Sequence, residues 1–298
     1  MTQHATARSI GSTVLLVVAI VLAAAGCSVS ADDGSSSKDA AAPASRQQYV
    51  ALGDSFTSAP LVPVTEMAKG CFRSRANYPA LVARELGVRL DDRSCGGART
   101  IDFHRSQYPE VPPQLTAVKA GVDLVTVSVG GNDQQVFTKL VSRCTRLRAK
   151  DPEGAPCRER MRSMESDVLL SDLRATRSRV TAIVRQVLDR APDAKVLVVG
   201  YPQIISADSM CAQLPLAAGD YAYGERVNRA LTEVLRSASK ATGATYVDVW
   251  AASQGHDICS DDPWVNGAVT DQARAAAYHP FAEEQAAVAD LVVDAFRG

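Results

Sequence analysis

Three side chains set the chemistry open to this sequence. Ser55 completes a Gly-Asp-Ser step in "YVALGDSFTSAP", Asn132 stands in "GGND" (Gly130–Asp133), and His279 stands in "YHPF". A hydroxyl, a carboxamide and an imidazole are the parts of an acyl-transfer site. They supply an attacking oxygen, a donor for the tetrahedral oxyanion and a base for the proton. "SCGGA" (Ser94–Ala98) adds backbone N–H groups in a Gly-rich turn that a substrate can approach closely. Singly, each motif has a plainer explanation. Ser55 suits any turn, Asn132 can cap one, Gly96–Gly97 can simply bend the chain, and one histidine among four says little. The chemistry depends on whether the fold gathers them.

The elements that must position them show in the periodicity. Short β-rich runs occur at Gln48–Leu52, Val122–Val129, Lys195–Val199 and Thr245–Val249, with a weaker one, "VRLDD", beginning at Val88. Amphipathic helical patterns lie between them. In Asp167–Arg190 the residues Leu169, Leu173, Val180, Ile183, Val184, Val187 and Leu188 form one helix face, and Val227, Leu231, Val234 and Ala238 form another. A last apolar helix is expected over Phe281–Phe296. Continuous apolar strands separated by such helices predict an α/β fold with a parallel sheet covered on both faces. Ligands of such sheets bind beyond the carboxyl ends of the strands. Ser55 follows the first strand and "GGND" the third, so both belong on that edge.

The N-terminus reads as an address. Arg8 precedes the apolar run Val14–Ala25, too short for a comfortable membrane span but suited to a secretory leader. "AAAGC" at its end resembles a bacterial lipoprotein signal, which implies residues 1–26 as the signal peptide, cleavage before Cys27 and lipidation of Cys27. Residues 27–48 then form a lipidated cysteine and a flexible tether rich in Ser, Ala and Asp, and residues 49–298 form one domain. Removing the leader takes Arg8 and no acid, which shifts the formal charge from −1 to −2. That near-neutral balance gives no footprint for nucleic acid, and no phosphate-loop or zinc-finger spacing appears. Six cysteines remain in the exported part. They allow 15 connectivities, of which the sequential pairing Cys71–Cys95, Cys144–Cys157 and Cys211–Cys259 closes the shortest loops and is the one expected. Each bridge contributes roughly 3–4 kcal/mol on the chain-entropy account. No metal is expected, since no C-x₂-C or H-x₃-H spacing occurs.

Gly-Asp-Ser near the start of the domain, a Gly-rich turn, Gly-x-Asn-Asp and a C-terminal His-Pro occur in the order of the SGNH (GDSL) hydrolases, and the chain resembles that family from about Tyr49 to Phe296. The likeness is nearest to secreted actinobacterial esterases and lipases of the family with three disulfides, which share "YVALGDS", "SVGGND" and "GHD-x-C" followed by "PWVNG". The resemblance implies a flavodoxin-like three-layer α/β/α sandwich with a five-stranded parallel sheet. It also implies a serine esterase or lipase that needs no cofactor. Ser55 would be the nucleophile and His279 the base. The backbone N–H groups of Ser55 and Gly97 and the Asn132 amide would form the oxyanion hole. Many members carry an Asp three residues before the histidine, but here that position is Ala276. Some actinobacterial members use a backbone carbonyl at the same offset. The implied arrangement is therefore a Ser–His dyad with the Ala276 carbonyl orienting His279, and Asp271 is the alternative orienter.

Three more residues stand near these motifs or carry similar chemistry. Asp54 is expected to hold its own turn, His256 to pack beside Cys259, and His104 to lie on the rim. Arg143, Arg146, Arg148, Lys150, Arg158, Arg160 and Arg162 crowd around the Cys144–Cys157 loop, either as a solvated basic surface or as a contact for anionic lipid or acidic envelope glycan. The expected partner is an ester substrate, lipid or acylated sugar, met by a monomer tethered to the outer face of the membrane or secreted. An acyltransferase or carbohydrate O-deacylase using the same serine, and a catalytically silent envelope-binding lipoprotein, are the competing readings.

Overall fold

The structure, a computed structural model, describes residues 47–162 and 166–298. The leader, Cys27 and the tether up to Arg46 lie outside the described residues. Five parallel strands build the sheet: β1 (Gln48–Gly53), β2 (Arg89–Asp92), β3 (Leu124–Ser128), β4 (Lys195–Val199) and β5 (Thr245–Val247). Their order is β2-β1-β3-β4-β5, the flavodoxin-like winding. β1 begins at Gln48, one residue inside the expected tether. β3 and β5 are shorter than the apolar runs that announced them, because Val129 already lies in the loop beyond and Val249 opens a one-turn helix, Val249–Ala252.

Alternation along the strands sorts side chains into two layers. Tyr49 and Ala51 face one way with Leu124, Leu197 and Val199, and are covered by α1 (Tyr78–Leu86) and α4 (Ala282–Arg297). Val50 and Leu52 face the other way with Val125, Val127 and Val198, and are covered by α2 (Val168–Arg190) and α3 (Tyr221–Thr242), which pack on each other. Both faces are buried, so the strands read as unbroken apolar runs. Asp167 caps α2 by accepting the Leu170 N–H at 3.0 Å, and Asn77 caps α1 through the Ala80 N–H at 3.1 Å.

All three sequential disulfides form, and each lies on a segment that follows a strand. Cys71–Cys95 joins the loop after β1 to the Gly-rich turn after β2. Cys144–Cys157 closes a helical excursion after β3. Cys211–Cys259 joins the loops after β4 and β5. The bridges thus brace the carboxyl edge of the sheet, where side-chain placement relies least on regular backbone pairing.

The first turn of α4 hides an acid. Glu284 is buried and accepts the Gln285 amide N–H at 2.6 Å, while Gln285 also holds the Tyr78 N–H and the Phe56 carbonyl. Burial pushes the Glu284 carboxyl from 4.5 up to about 8. Between those values the unfolded chain is ionised while the fold keeps its proton. The stability this group allows is therefore full below pH 4.5 and is lost as pH rises toward 8, by roughly 1.4 kcal/mol per pH unit. Glu284→Gln should remove that slope. In urea unfolding at pH 5 and pH 8, the stability lost between the two should shrink by on the order of 2–3 kcal/mol in the variant. An unchanged loss would place the pH dependence elsewhere.

Candidate active site

β1 delivers Ser55 through a close-packed glycine. A Cβ on Gly53 would lie 2.1 Å from Thr57 Oγ1 and 2.9 Å from the Ser128 carbonyl oxygen, so no larger residue fits without displacing the turn. Asp54 caps the one-turn helix Ser55–Ser58: its Oδ1 accepts the Phe56 N–H at 3.0 Å and its carbonyl accepts from Thr57 and Ser58. Ser55 is the first residue of that helix and is buried. The N–H at such a position has no partner within the helix.

The neighbouring loops are bound to this turn and to one another. The Asp54 N–H donates to Ser128 at 3.2 Å, and its Oδ2 accepts the Tyr201 hydroxyl. Tyr201 in turn accepts the Gly131 N–H at 3.3 Å, so one carboxylate and one phenol link the "GDS" and "GGND" turns. Burial pushes the Asp54 carboxyl up to about 7, against the lowering effect of the Tyr201 and Phe56 hydrogen bonds. Asn132 donates one amide N–H to the Ala98 carbonyl at 3.0 Å, which orients the carboxamide and leaves its second N–H. In the Gly-rich turn, Gly96 donates to Cys71 at 2.8 Å and Ala98 to Cys95 at 3.0 Å. Between them Gly97 is exposed at φ 75°, a left-handed conformation that favours glycine. Asp133 holds the far side of the turn by accepting from the Thr100 N–H, the Thr100 hydroxyl and Arg179 at 2.8, 2.6 and 3.0 Å.

His279 arrives from the loop after β5. Its ring centroid lies 6.0 Å from that of Phe56, the residue after Ser55, and 6.0 Å from that of Phe137 in the segment after "GGND". Nδ1 is 2.7 Å from the Ala277 carbonyl oxygen. A carbonyl only accepts, so Nδ1 carries the proton and Nε2 presents its lone pair. The orienting carbonyl is thus Ala277 rather than Ala276. The reason is local: the Ala276 carbonyl closes the turn by accepting the His279 N–H at 3.2 Å and also takes Asn266 Nδ2 at 3.2 Å. Tyr278, at φ 61°, swings the chain so that the next carbonyl meets the ring. Asp271 instead accepts the Ala273 N–H at 2.9 Å within its own turn. Burial lowers the His279 pKa below 6.5, and the Ala277 bond opposes that shift.

The other histidines have separate surroundings. His256 stacks on Trp264 at 4.1 Å with its Nδ1 2.8 Å from the Asp262 carbonyl oxygen, a packing role. His104 lines a separate cavity of about 420 Å³ with Arg99, Asp133 and Arg179. Among the described residues no group of three or more His, Cys, Asp or Glu side chains is disposed to hold a metal ion.

Two residues outside the motifs, Gln114 and Tyr201, also shape the site. Gln114 is buried and receives the Gly53 N–H on Oε1 at 2.8 Å while donating Nε2 to the Gly53 carbonyl at 2.9 Å. Nothing about "PPQLT" marks it. Tyr201 lies two residues past the end of β4 at the carboxyl edge, and the same rule that singled out Ser55 and Asn132 reaches it. The arrangement is a serine at the head of a capped turn, a Gly-rich turn, an oriented carboxamide and a neutral imidazole of fixed tautomer. These are the parts that acyl transfer requires.

Comparison with known proteins agrees with this chemistry. The GDSL-like Lipase/Acylhydrolase family matches residues 51–287. A Streptomyces coelicolor protein named Lipase 2 is 42% identical over 216 residues, covering 71% of this chain and 72% of that protein. Among solved structures, phospholipase A1 from Streptomyces albidoflavus NA297 superposes with a TM-score of 0.68 at 26% identity, covering 84% of this chain and 98% of that one. The extracellular lipase of Streptomyces rimosus does so at 0.64 and 29%, covering 83% and 98%. The chain therefore belongs to the GDSL-like lipase/acylhydrolase family, and it is a carboxylic ester hydrolase.

Proposed function

We propose that the chain hydrolyses lipid esters through a Ser55–His279 dyad oriented by the Ala277 carbonyl. His279 Nε2 takes the Ser55 proton as the hydroxyl oxygen attacks the acyl carbon. The tetrahedral oxyanion is held by the N–H groups of Ser55 and Gly97 and by the free N–H of Asn132. The protonated imidazole then delivers its proton to the departing alcohol, and water repeats the sequence on the acyl-enzyme. The observation that carries this reading is the 2.7 Å approach of His279 Nδ1 to the Ala277 carbonyl, which sets the tautomer a base needs without a carboxylate. Relatives named as a lipase and a phospholipase A1 support lipid esters as the substrate class. Turnover of p-nitrophenyl esters of graded chain length tests it. Hydrolysis rising from acetyl toward longer chains is expected. A transferred acyl group on an added sugar hydroxyl, in place of free acid, would assign the serine to acyl transfer instead.

The same reading places the chain outside the cytoplasm. Three disulfides and the extracellular S. rimosus relative support export, and "AAAGC" supports a lipid anchor at Cys27, a residue outside those described. Cys27→Ala should move the protein from the detergent phase to the aqueous phase in Triton X-114 partitioning. An unchanged distribution would remove the anchor.

A further inference from the structure

The exposed large apolar side chains gather on one edge of the molecule. Val64, Met67 and Phe72 follow β1, and Ile101 and Tyr108 follow β2. Val168 ends the excursion after β3, Met210 follows β4 and Val269 follows β5. These eight are all the large apolar side chains exposed among the described residues; seven lie in the loops between the end of a strand and the next strand or long helix, and Val168 heads α2. Apart from Val168 at the head of α2, the four long helices show none. Four of the eight are far out in solvent: Val269 at 79%, Val64 at 66%, Met210 at 63% and Met67 at 59%. Scattered apolar residues need no explanation, but eight confined to one edge mark an interaction surface.

The charge on the same edge states the partner. The excursion closed by Cys144–Cys157 carries Arg143, Arg146, Arg148, Lys150, Arg158 and Arg160, all exposed and none in an ion pair with a described residue. With Arg162 counted against Asp151, Glu153 and Glu159, the stretch 143–162 holds a surplus of four positive charges. It flanks the site directly: Phe137, at its base, packs its ring 6.0 Å from His279. Asp208 and Asp271 stand two residues from Met210 and Val269. Cationic attraction therefore acts at the excursion, and apolar insertion at the loop tips.

We propose that this edge docks on an anionic phospholipid bilayer, with the loop tips entering the interface and the excursion held by lipid headgroups, so that the Ser55 crevice opens onto the lipid surface. Apolar tips on an edge that also carries a surplus of exposed cations are complementary to a surface that is oily below and negative above. The proposal rests on the reading of this edge as the catalytic edge.

Sedimentation with vesicles tests it. The whole chain carries Cys27→Ala, so that no acyl anchor there contributes, and Ser55→Ala, so that lipid is not consumed. In that background it should bind vesicles of phosphatidylglycerol and phosphatidylcholine at least tenfold more tightly than phosphatidylcholine alone. Replacing Val64, Met67, Met210 and Val269 together by Ser should weaken binding about 100-fold, since each insertion carries roughly a methyl or methylene group or more out of water. Replacing Arg143, Arg146, Arg158 and Arg160 by Gln should remove most of the preference for anionic vesicles, at about fivefold per residue at low salt. With Ser55 restored, both sets should hydrolyse p-nitrophenyl acetate at the parent rate, which shows that the fold and site are intact. Equal binding to both vesicle types that neither set alters would overturn the proposal, as would self-association of the chain with no vesicle binding. Loss of acetate hydrolysis in the Ser55 parent itself would instead strike the catalytic reading, while the vesicle data still decide the docking.

Discussion

Ser55→Ala and His279→Ala should each lower kcat for ester hydrolysis by on the order of 10⁵–10⁶, and the double variant should be scarcely slower than either single one, because the pair acts as a unit. The imidazole has no proton to take once the hydroxyl is gone, and the hydroxyl is a poor nucleophile once the base is gone. Both variants should keep the wild-type thermal transition, since neither side chain is part of the apolar layers. The neutral orienter adds a sharper expectation. With the Ala277 carbonyl at Nδ1 and no carboxylate there, Asp→Asn changes at Asp257, Asp261, Asp262 and Asp271 should leave kcat far above the roughly 10⁴-fold loss of a triad deprived of its acid. Burial lowers the His279 pKa, so the base is already free at a lower pH than an ordinary histidine. The acidic limb of the kcat/KM profile should therefore fall below pH 6.5. A several-thousandfold collapse in any one Asp→Asn variant, with the fold kept, would establish a conventional triad.

Asn132→Ala should reduce kcat by on the order of 10²–10³ with little change in KM, because its free N–H meets charge that develops only in the transition state. The other N–H already holds the Ala98 carbonyl at 3.0 Å, so the carboxamide is positioned before substrate arrives and no reorganisation accompanies the reaction. A tetrahedral phosphonate or boronate inhibitor separates the two kinds of binding. Its affinity should fall in parallel with kcat while KM for the ester stays put. A rise in KM alone would make Asn132 a substrate-binding residue and leave the oxyanion to the backbone donors.

How far these roles could be read in advance differs from residue to residue. The strands were legible because burial on both faces leaves runs such as "KVLVV" without polar interruption, and α2 because Leu169, Leu173, Val180, Ile183 and Val187 recur at helical spacing. Ser55 and Asn132 are legible as edge residues from their positions just after strands, whatever the strand order, whereas the naming of Gly97 and His279 leans on family resemblance. The orienting carbonyl was misplaced by one residue. The choice between Ala276 and Ala277 turns on the left-handed φ of Tyr278, a conformation that a residue with a Cβ rarely adopts and that sequence does not announce. The Asp54–Tyr201 bond joins positions 147 apart and Gln114 reaches back 61 residues to Gly53, and neither contact leaves a local pattern.

Gln114 also bears on how the site tolerates change. At Gly53 the N–H is met by a side-chain amide instead of a neighbouring strand, while the carbonyl is shared between that amide and the Cys95 N–H. A strand would impose its register on whatever follows it, but a single carboxamide imposes none. Past Asp92 the chain still donates the Arg93 N–H to Ala51 at 2.8 Å and the Cys95 N–H to Gly53 at 3.1 Å before it enters the Gly-rich turn. The stretch from Arg105 to Pro113 is itself seated, since Gln107 donates to the Gly96 carbonyl at 2.7 Å and Val111 packs with Cys71, Cys95 and Ala98, so a change of length there must return both residues, and Gln114, to their places. The serine and the Gly-rich turn are thus each seated by a glutamine from one connecting segment, Gln114 at Gly53 and Gln107 at Gly96.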